Sequence, residues 1–517
     1  MRQVQFHDCT WRDGLQGGSV EATNIRDVKK AIQAVDSLGV HIHELGFAIH
    51  GGGAERIRMA LGMGLRGKVA AFGRTRPEDI EAIIKLGVPV GVLVGKSRVR
   101  DAERALRMRP EQNLRLIEKS VRTLAQNGVE VIYDAEHAFD GFQNEASYVM
   151  ETLQTARDAG ASCLVLCDTT GGMMPEQIAV WTREVVENFP YAEVGFHGHN
   201  DCGLGVANAQ AAFQNGATVL QGTFLGTGER CSNTDLSILM PNLVLKLGAS
   251  GVSAESLKNL TQAMETVASA LNISVPENHP WVGRNAFFTS AGMHASGDER
   301  DPGSYHHVRP EIIGNHSYTG VSDQSGKANV VKRARELGIE IPENRVEDIM
   351  RKFGDLATRG MNFNLATASF EMFLRRELYG IPQHLKFLRW RLHIERVKGS
   401  EVETEASLLF LIRDDESPQK LHNADGDGPV NALEKALKRT LKKRYPFVES
   451  IRITDFRVRM LERQKGSAST VRVICEFSND DELWEVIAVH ENIIEACWLA
   501  LWDGYLYKIL KVEEGRS

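Results

Sequence analysis

Eight short apolar runs alternating with amphipathic stretches predict a (β/α)8 TIM barrel for the first half of this chain. The runs lie near residues 3–10, 40–47, 68–73, 88–95, 130–137, 163–169, 194–200 and 219–226. Strand then helix, eight times over about 250 residues, is the rhythm and length of that fold. A doubly wound open sheet is the competing reading. No Gly-x-Gly-x-x-Gly follows the first run, which weakens its dinucleotide-binding version.

Taken in order, the connecting stretches Asn24 to Leu38, Pro110 to Asn127, Glu145 to Ala159 and Pro175 to Asn188 carry the apolar period of helices. Residues 251–385 read as helical and mixed, with polar, Gly-containing islands at Gly292-Met293-His294 and Ser322 to Lys327. After Gln383 the pattern changes. Alternating runs (Phe387 to Ile394, Ala406 to Ile412) lead into a helix, Val430 to Leu441. Strands near 449–462, 469–477 and 483–489 follow, then a closing helix, Asn492 to Leu510, so a strand-rich unit is repeated twice. The stretch Asp414 to Gly428, rich in Asp, Ser, Asn and Gly, reads as a flexible loop. The expected organisation is a catalytic barrel over 1–275, linker and lid subdomains over 276–385, and a C-terminal α+β regulatory-type domain over 386–517.

Composition narrows the function. A chain of 517 residues with 42% apolar and 25% charged residues is ordinary for a soluble protein of two or three domains. A net charge of −7 gives no basic footprint for nucleic acid. No apolar run is long enough to span a bilayer, and Val4-Gln5-Phe6 reads as a strand and not a signal peptide. Seven irregularly spaced cysteines argue for a reducing compartment, so a cytoplasmic location is expected, with the thiols as core residues.

The chemistry concentrates in His197-Gly198-His199-Asn200-Asp201. On a strand, residues two apart share a face, so both imidazoles converge at the strand's end. Two imidazoles and a carboxylate hold a divalent metal and leave positions open for substrate. Asp8 is the expected carboxylate, reaching across the mouth from strand one; a hydrogen-bonded pair of core histidines is the plain alternative. Asp8, Glu44, Lys96, Glu136, Thr169, His197 and His199 all fall at or near predicted strand ends, where barrel active sites sit. Arg12 can neutralise a developing oxyanion or simply pair with Asp13 or Glu44. Glu136 can orient Arg12 or move a proton. His137, of opposite parity to Glu136, is taken as structural. Lys96 could form a Schiff base, which the metal motif makes redundant. Asp201 precedes the helical pattern Leu204 to Phe213 and could be its N-cap.

Asp8-Cys9-Thr10-Trp11-Arg12-Asp13-Gly14-Leu15-Gln16 resembles the first signature of the metal-dependent acyl-CoA condensing enzymes and lyases, the DRE-TIM metallolyase family. His197 to Asp201 resembles the second, and Gly226 to Asn233 resembles the Gly-x-Gly-Glu-Arg-x-Gly-Asn segment, with Ser232 where glycine is usual. The likeness is strongest to the long-type citramalate synthases and also reaches the 2-isopropylmalate synthases. It covers nearly the whole chain, including Tyr133 to His137, Leu166 to Thr169, Gln221-Gly222-Thr223 and Ser322 to Gly326. Gly426 to Ala432 and Asn492 to Ala496 resemble repeats of those families' effector-binding domain.

The resemblance implies a metal set of Asp8, His197, His199 and Asn233, holding magnesium, manganese or zinc. It implies Arg12, Asp13, Gln16, Glu44 and Thr169 as the substrate-binding set, and Arg12, Glu136, His294 and Tyr305 as the catalytic one, with His294 as general base on a lid exchanged within a homodimer. It implies acetyl-CoA as co-substrate, a 2-oxo acid as acceptor, a 2-substituted malate as product and an amino-acid effector at the C-terminal domain. The expected activity is citramalate synthesis from pyruvate. Departures cluster at the mouth and lid: Leu45-Gly46-Phe47-Ala48 replaces Gly-Gly-Trp-Pro, Trp11 replaces leucine, Thr289-Ser290 replaces His-Lys, and a usual glutamate is missing near Gly18. They leave open a larger acceptor, phenylpyruvate giving benzylmalate or 2-oxoisovalerate giving isopropylmalate. An acyl-CoA lyase on the same scaffold, and a metabolite-sensing regulator without activity, are the other readings.

Overall fold

Strict alternation on the strands places one set of side chains inside a closed cylinder and the other under helices. The computed structural model of the chain describes residues 2–18, 20–289, 305–319, 327–380, 385–412, 419–479 and 482–515. Its first strands are β1 (Gln5–Asp8), β2 (Ile42–Phe47), β3 (Lys68–Arg74) and β4 (Val90–Lys96). Then come β5 (Glu130–Glu136), β6 (Cys163–Asp168), β7 (Glu193–Gly198) and β8 (Val219–Gly222). They form a closed barrel in sequence order, every pair parallel, with β1 joined to both β2 and β8.

Inside, Ile42, Phe72, Val92, Ile132, Val165 and Val219 make a compact apolar core. Their neighbours of opposite parity, such as Phe6, Leu45, Leu93, Tyr133 and Leu220, pack in the larger core with the surrounding helices. Helix α1 (Ile25–Ser37) shows the local logic. Asn24 caps it by accepting from the backbone N–H groups of Arg26 and Asp27, and Val28, Ala31, Ile32 and Val35 form its buried stripe. Burying each of the larger side chains contributes roughly 1.5–3 kcal/mol.

The observed strands and the helices over 25–37, 110–126 and 175–188 match the expected elements to within a few residues. Three details differ. The helix expected from Glu145 begins at Ala138, with Glu145 itself in a non-helical conformation (φ −141°, ψ 39°) that kinks it. The helix Gly205–Gln214 is not capped by Asp201: Asn200 Oδ1 accepts from the Gly205 N–H at 2.9 Å, and Asp201 pairs with Arg230. Five cysteines are buried as expected, but Cys202 and Cys231 are exposed.

The described residues divide into two compact units, those within 1–287 and 306–317, and those within 288–305 and 318–517. In the second, short strands β9 (Phe288–Thr289) and β10 (Tyr318–Thr319) pair in parallel. The helices Lys327–Glu336, Val346–Thr358 and Thr367–Tyr379 share a cluster that includes Val330, Phe353, Phe370 and Phe373. Two antiparallel sheets follow, β11–β13 (Leu385–Arg396, Val402–Ile412, Gln419–Asp425) and β14–β16 (Arg452–Met460, Val471–Ser478, Leu483–His490). Each is succeeded by a helix, Pro429–Leu441 and Ile493–Glu513. Of the loop expected over 414–428, residues 414–418 lie outside the described residues and β13 replaces it over Gln419–Asp425. Its composition is polar because one face is open, but its backbone pairs with β12 from Glu405↔Asp425 to Leu411↔Gln419 and Ala424 is buried. Among the described residues no helix is long and apolar enough to cross a membrane.

Candidate active site

His197 lies one residue before the end of β7 on its inner face, His199 follows two residues later, and both residues are 6% exposed. Their ring centroids lie 5.3 Å apart. The carboxylate beside them is Asp13, not Asp8. Asp13 Oδ2 lies 3.3 Å from His197 Nε2, and one donor atom each of Asp13, His197 and His199 fall within 4.8 Å of one another. Strand parity explains the correction. His7 has the inward parity, with its Nε2 3.1 Å from Glu44 Oε2, so Asp8 has the outward one. Asp8 is in register with His43, whose ring bonds Asp36 of α1, and its Oδ1 accepts from the Thr10 backbone N–H. The turn after β1 then carries Arg12 and Asp13 back over the mouth, with the N–H groups of Arg12 and Asp13 both bonding Cys9 O.

Asn233 reaches the same place by a backbone bridge to His199. Its side chain is 1% exposed, and neither amide atom has a hydrogen-bond partner; His199 Nδ1 is likewise buried and unpartnered. The loops are locked around it. Gly228, at φ +154°, would bring a Cβ to 2.2 Å from Asn233 Oδ1, and a Cβ on Gly14 would meet Thr227 Oγ1 at 2.6 Å. Gly14 is therefore a contact point between the two loops, and Gly228 leaves room for the Asn233 side chain of its own loop. Ser232, where the family pattern has glycine, sits at φ 106°, a conformation that disfavours a side chain.

This donor set fits a divalent cation. One aspartate and two imidazoles converge, and the buried His199 Nδ1 and the amide of Asn233, bridged to His199 through the backbone, lack protein partners. Burial, then the neighbouring His197 charge, push His199 down to about 4, so it presents a neutral ring at pH 7. Burial acts to lower His197 too, but the hydrogen bond and charge of Asp13 outweigh it and hold it above its ordinary value. Asp13 resists its own burial because the Arg12 guanidinium holds it well below the usual carboxylate range.

Arg12 makes both ion pairs weighed from the sequence, Nη1 to Asp13 Oδ2 at 3.0 Å and Nε to Glu44 Oε1, and lies 4.0 Å above the Phe72 ring. Burial alone would lower its affinity for the proton, but Asp13 and Glu44 more than reverse that, so it is permanently charged. Glu136 pairs with Lys96 on the adjoining strand, whereas Arg12 is held by Glu44 and Asp13. Thr169 Oγ1 accepts from the His137 N–H at 2.8 Å, and Thr169 O accepts from Arg230 Nη2. His137 bonds Asp140. Gln16 is exposed at the end of the turn after β1. Tyr305 is 49% exposed and belongs to the second unit; His294 lies outside the described residues. Of the mouth departures, Trp11 is wholly buried in the outer core, whereas Phe47 meets Phe72 edge-to-face at 4.9 Å. His7, Asp134 and Gln221 were missed as site residues. Their signal was parity: each faces inward in the same rows as Glu44, Glu136 and His197.

The family profile described as HMGL-like matches residues 3–267. The chain belongs to the HMGL-like family. Beyond its HMGL-like barrel, residues 281–361 match the homocitrate synthase post-HMGL domain and residues 358–509 the LeuA allosteric (dimerisation) domain. Among curated proteins, the (R)-citramalate synthase of Aquifex aeolicus is 35% identical, covering 99% of both chains. That of Geobacter sulfurreducens is 33% identical, covering 99% of both, and that of Streptomyces coelicolor 34%, covering 98% of this chain and 97% of the relative.

Proposed function

We propose that this chain is an acetyl-CoA-dependent citramalate synthase, joining the acetyl methyl carbon to the keto carbon of pyruvate. The observation that carries the reading is end-to-end similarity to (R)-citramalate synthases, supported by a mouth in which Asp13, His197 and His199 converge beside Arg12. In balanced form, a base takes a methyl proton from acetyl-CoA and the enolate carbon attacks the ketone of pyruvate. Water then cleaves the thioester, its oxygen entering the new carboxylate while the CoA thiol leaves.

Asp13, His197, His199 and Asn233 would hold a divalent ion, which supplies Lewis acidity to the keto oxygen of the acceptor. Arg12 supplies fixed positive charge. Glu44 and Asp13 take up its Nε and Nη1, leaving Nη2 as the edge for a substrate oxygen that gains charge. Glu44, anchored by His7, keeps the guanidinium from rotating. Thr169 and the backbone it fixes at the end of β6 are proposed for the acceptor carboxylate. Gln16 is proposed for substrate binding at the rim of the mouth, and Glu136, held by Lys96, for the acetyl group. His294 is proposed as the general base and Tyr305 as its companion on the lid. The proposed division of labour is catalysis by 1–275, closure by 276–385, and homodimer formation with an amino-acid effector site in 386–517; the LeuA match supports the last.

The test is release of free CoA thiol from acetyl-CoA with a panel of 2-oxo acids. Turnover that requires a 2-oxo acid, fastest with pyruvate, is expected. Preference for phenylpyruvate or 2-oxoisovalerate contradicts the acceptor, and breakdown of an acyl-CoA without any acceptor contradicts the reaction.

A further inference from the structure

Inside the barrel, the Gln221 side chain on β8 bridges two groups on different strands. Its Oε1 lies 2.9 Å from Nδ1 of His197 on β7, and its Nε2 donates over 2.9 Å to Oδ1 of Asp134 on β5. The three side chains are sealed from solvent, with Gln221 0%, Asp134 3% and His197 6% exposed. The second lone pair of Oε1 faces the Cys9 thiol at 4.0 Å.

Donor and acceptor chemistry fixes the direction of this chain. A carboxylate only accepts, so the amide NH2 of Gln221 faces Asp134. The amide oxygen must then face His197, and only a protonated Nδ1 can pair with it. The reversed amide would set a carbonyl against the carboxylate, two acceptors in contact. With Nδ1 committed to Gln221, the remaining ring nitrogen, Nε2, is the one beside Asp13.

We propose that Asp134 and Gln221 are positioning residues that select the Nδ1–H tautomer of His197 and aim its Nε2 lone pair at the cation position. This rests on the metal reading above. Metal-bound histidines are generally oriented by such an outer partner. Here the partner next to the ring is a neutral amide, itself oriented by a carboxylate one bond further out.

The test strips the full-length protein with a chelator and titrates it with Co2+, reading affinity by competition and the visible absorption band. One ion per chain is expected for the wild type. Gln221→Met, similar in shape but without the amide, is expected to weaken binding about tenfold to a hundredfold and to shift the band. The exchanged pair Asp134→Asn/Gln221→Glu keeps an acceptor against Nδ1–H and a hydrogen bond beyond it, so it restores both readouts. A purely structural role would not produce that rescue. Should Gln221→Met fail to fold, Asp134→Leu/Gln221→Leu, which removes both polar partners together, takes its place. Wild-type affinity and spectrum in the variant lacking the amide overturn the proposal, as does an exchanged pair that binds no better than that variant. Absence of binding by the wild type overturns the metal reading and this inference with it.

Discussion

In the C-terminal unit, buried charges are closed off against one another. Lys508, 3% exposed, bonds Glu482 at 2.9 Å, and Arg376 holds the buried Asp503 with two hydrogen bonds. At the barrel mouth, Asn233 is as deeply buried, yet both its amide atoms are left without partners, as is Nδ1 of His199. Leaving a buried polar atom unsatisfied costs about 1–3 kcal/mol. At the mouth these atoms adjoin the converging carboxylate and imidazoles of Asp13, His197 and His199, the set proposed for a cation. The charge pairs of the C-terminal unit serve the fold; the donors beside Asn233 and His199 are the ones proposed to serve a ligand.

The largest effect should come from the mouth. Asp13→Ala or His197→Ala is expected to lower kcat in the thiol-release assay by at least about a hundredfold to a thousandfold. Thermal unfolding of the metal-free protein should change far less. Near-normal turnover in either variant would remove the distinction between the regions. The reverse pattern is expected for Arg376→Met, which leaves Asp503 buried without its cation. It should lose about 1–3 kcal/mol of stability in denaturant unfolding and keep the KM for both substrates.

Strand parity decided what could be read from the sequence. The eight strands, the inward pair His197 and His199, and the twofold strand-rich unit were legible because period 2 and period 3.6 patterns are strong over these lengths. The carboxylate was misassigned because Asp8 and Asp13 share one motif, and a sequence does not show that the chain turns back at Cys9. The same parity rule, applied to His7 against Asp8, would have turned Asp8 outward. β13 was hidden for a different reason: an edge strand with one open face carries the composition of a loop. Trp11 shares its motif with mouth residues, yet the turn folds its ring into the outer core.

Smaller effects sharpen the contrast. Ser232→Gly should relieve the side chain held at φ 106° and raise stability by about 1 kcal/mol, measured by chemical denaturation, with turnover kept because Ser232 is not among the converging donors. An unchanged or lower stability would show that the Asn200 contact to the Ser232 hydroxyl outweighs the strain. The smallest effect concerns His279, bonded to Asp235 at 2.7 Å. Burial lowers its pKa, but the Asp235 hydrogen bond and charge raise it more. The protonated ring is thus favoured by folding. Its contribution is fully present below about pH 6.5 and is lost as pH rises through the elevated value. His279→Gln should flatten that part of the stability–pH curve.

The central claim is that Asp13, and not Asp8, closes the cation site with His197 and His199. Calorimetric titration of the metal-free wild type, Asp13→Asn and Asp8→Asn with Mn2+ tests it most directly. One ion per chain in the wild type and Asp8→Asn, with binding lost or greatly weakened in Asp13→Asn, is the expected result. Tight binding by Asp13→Asn together with loss in Asp8→Asn would contradict it.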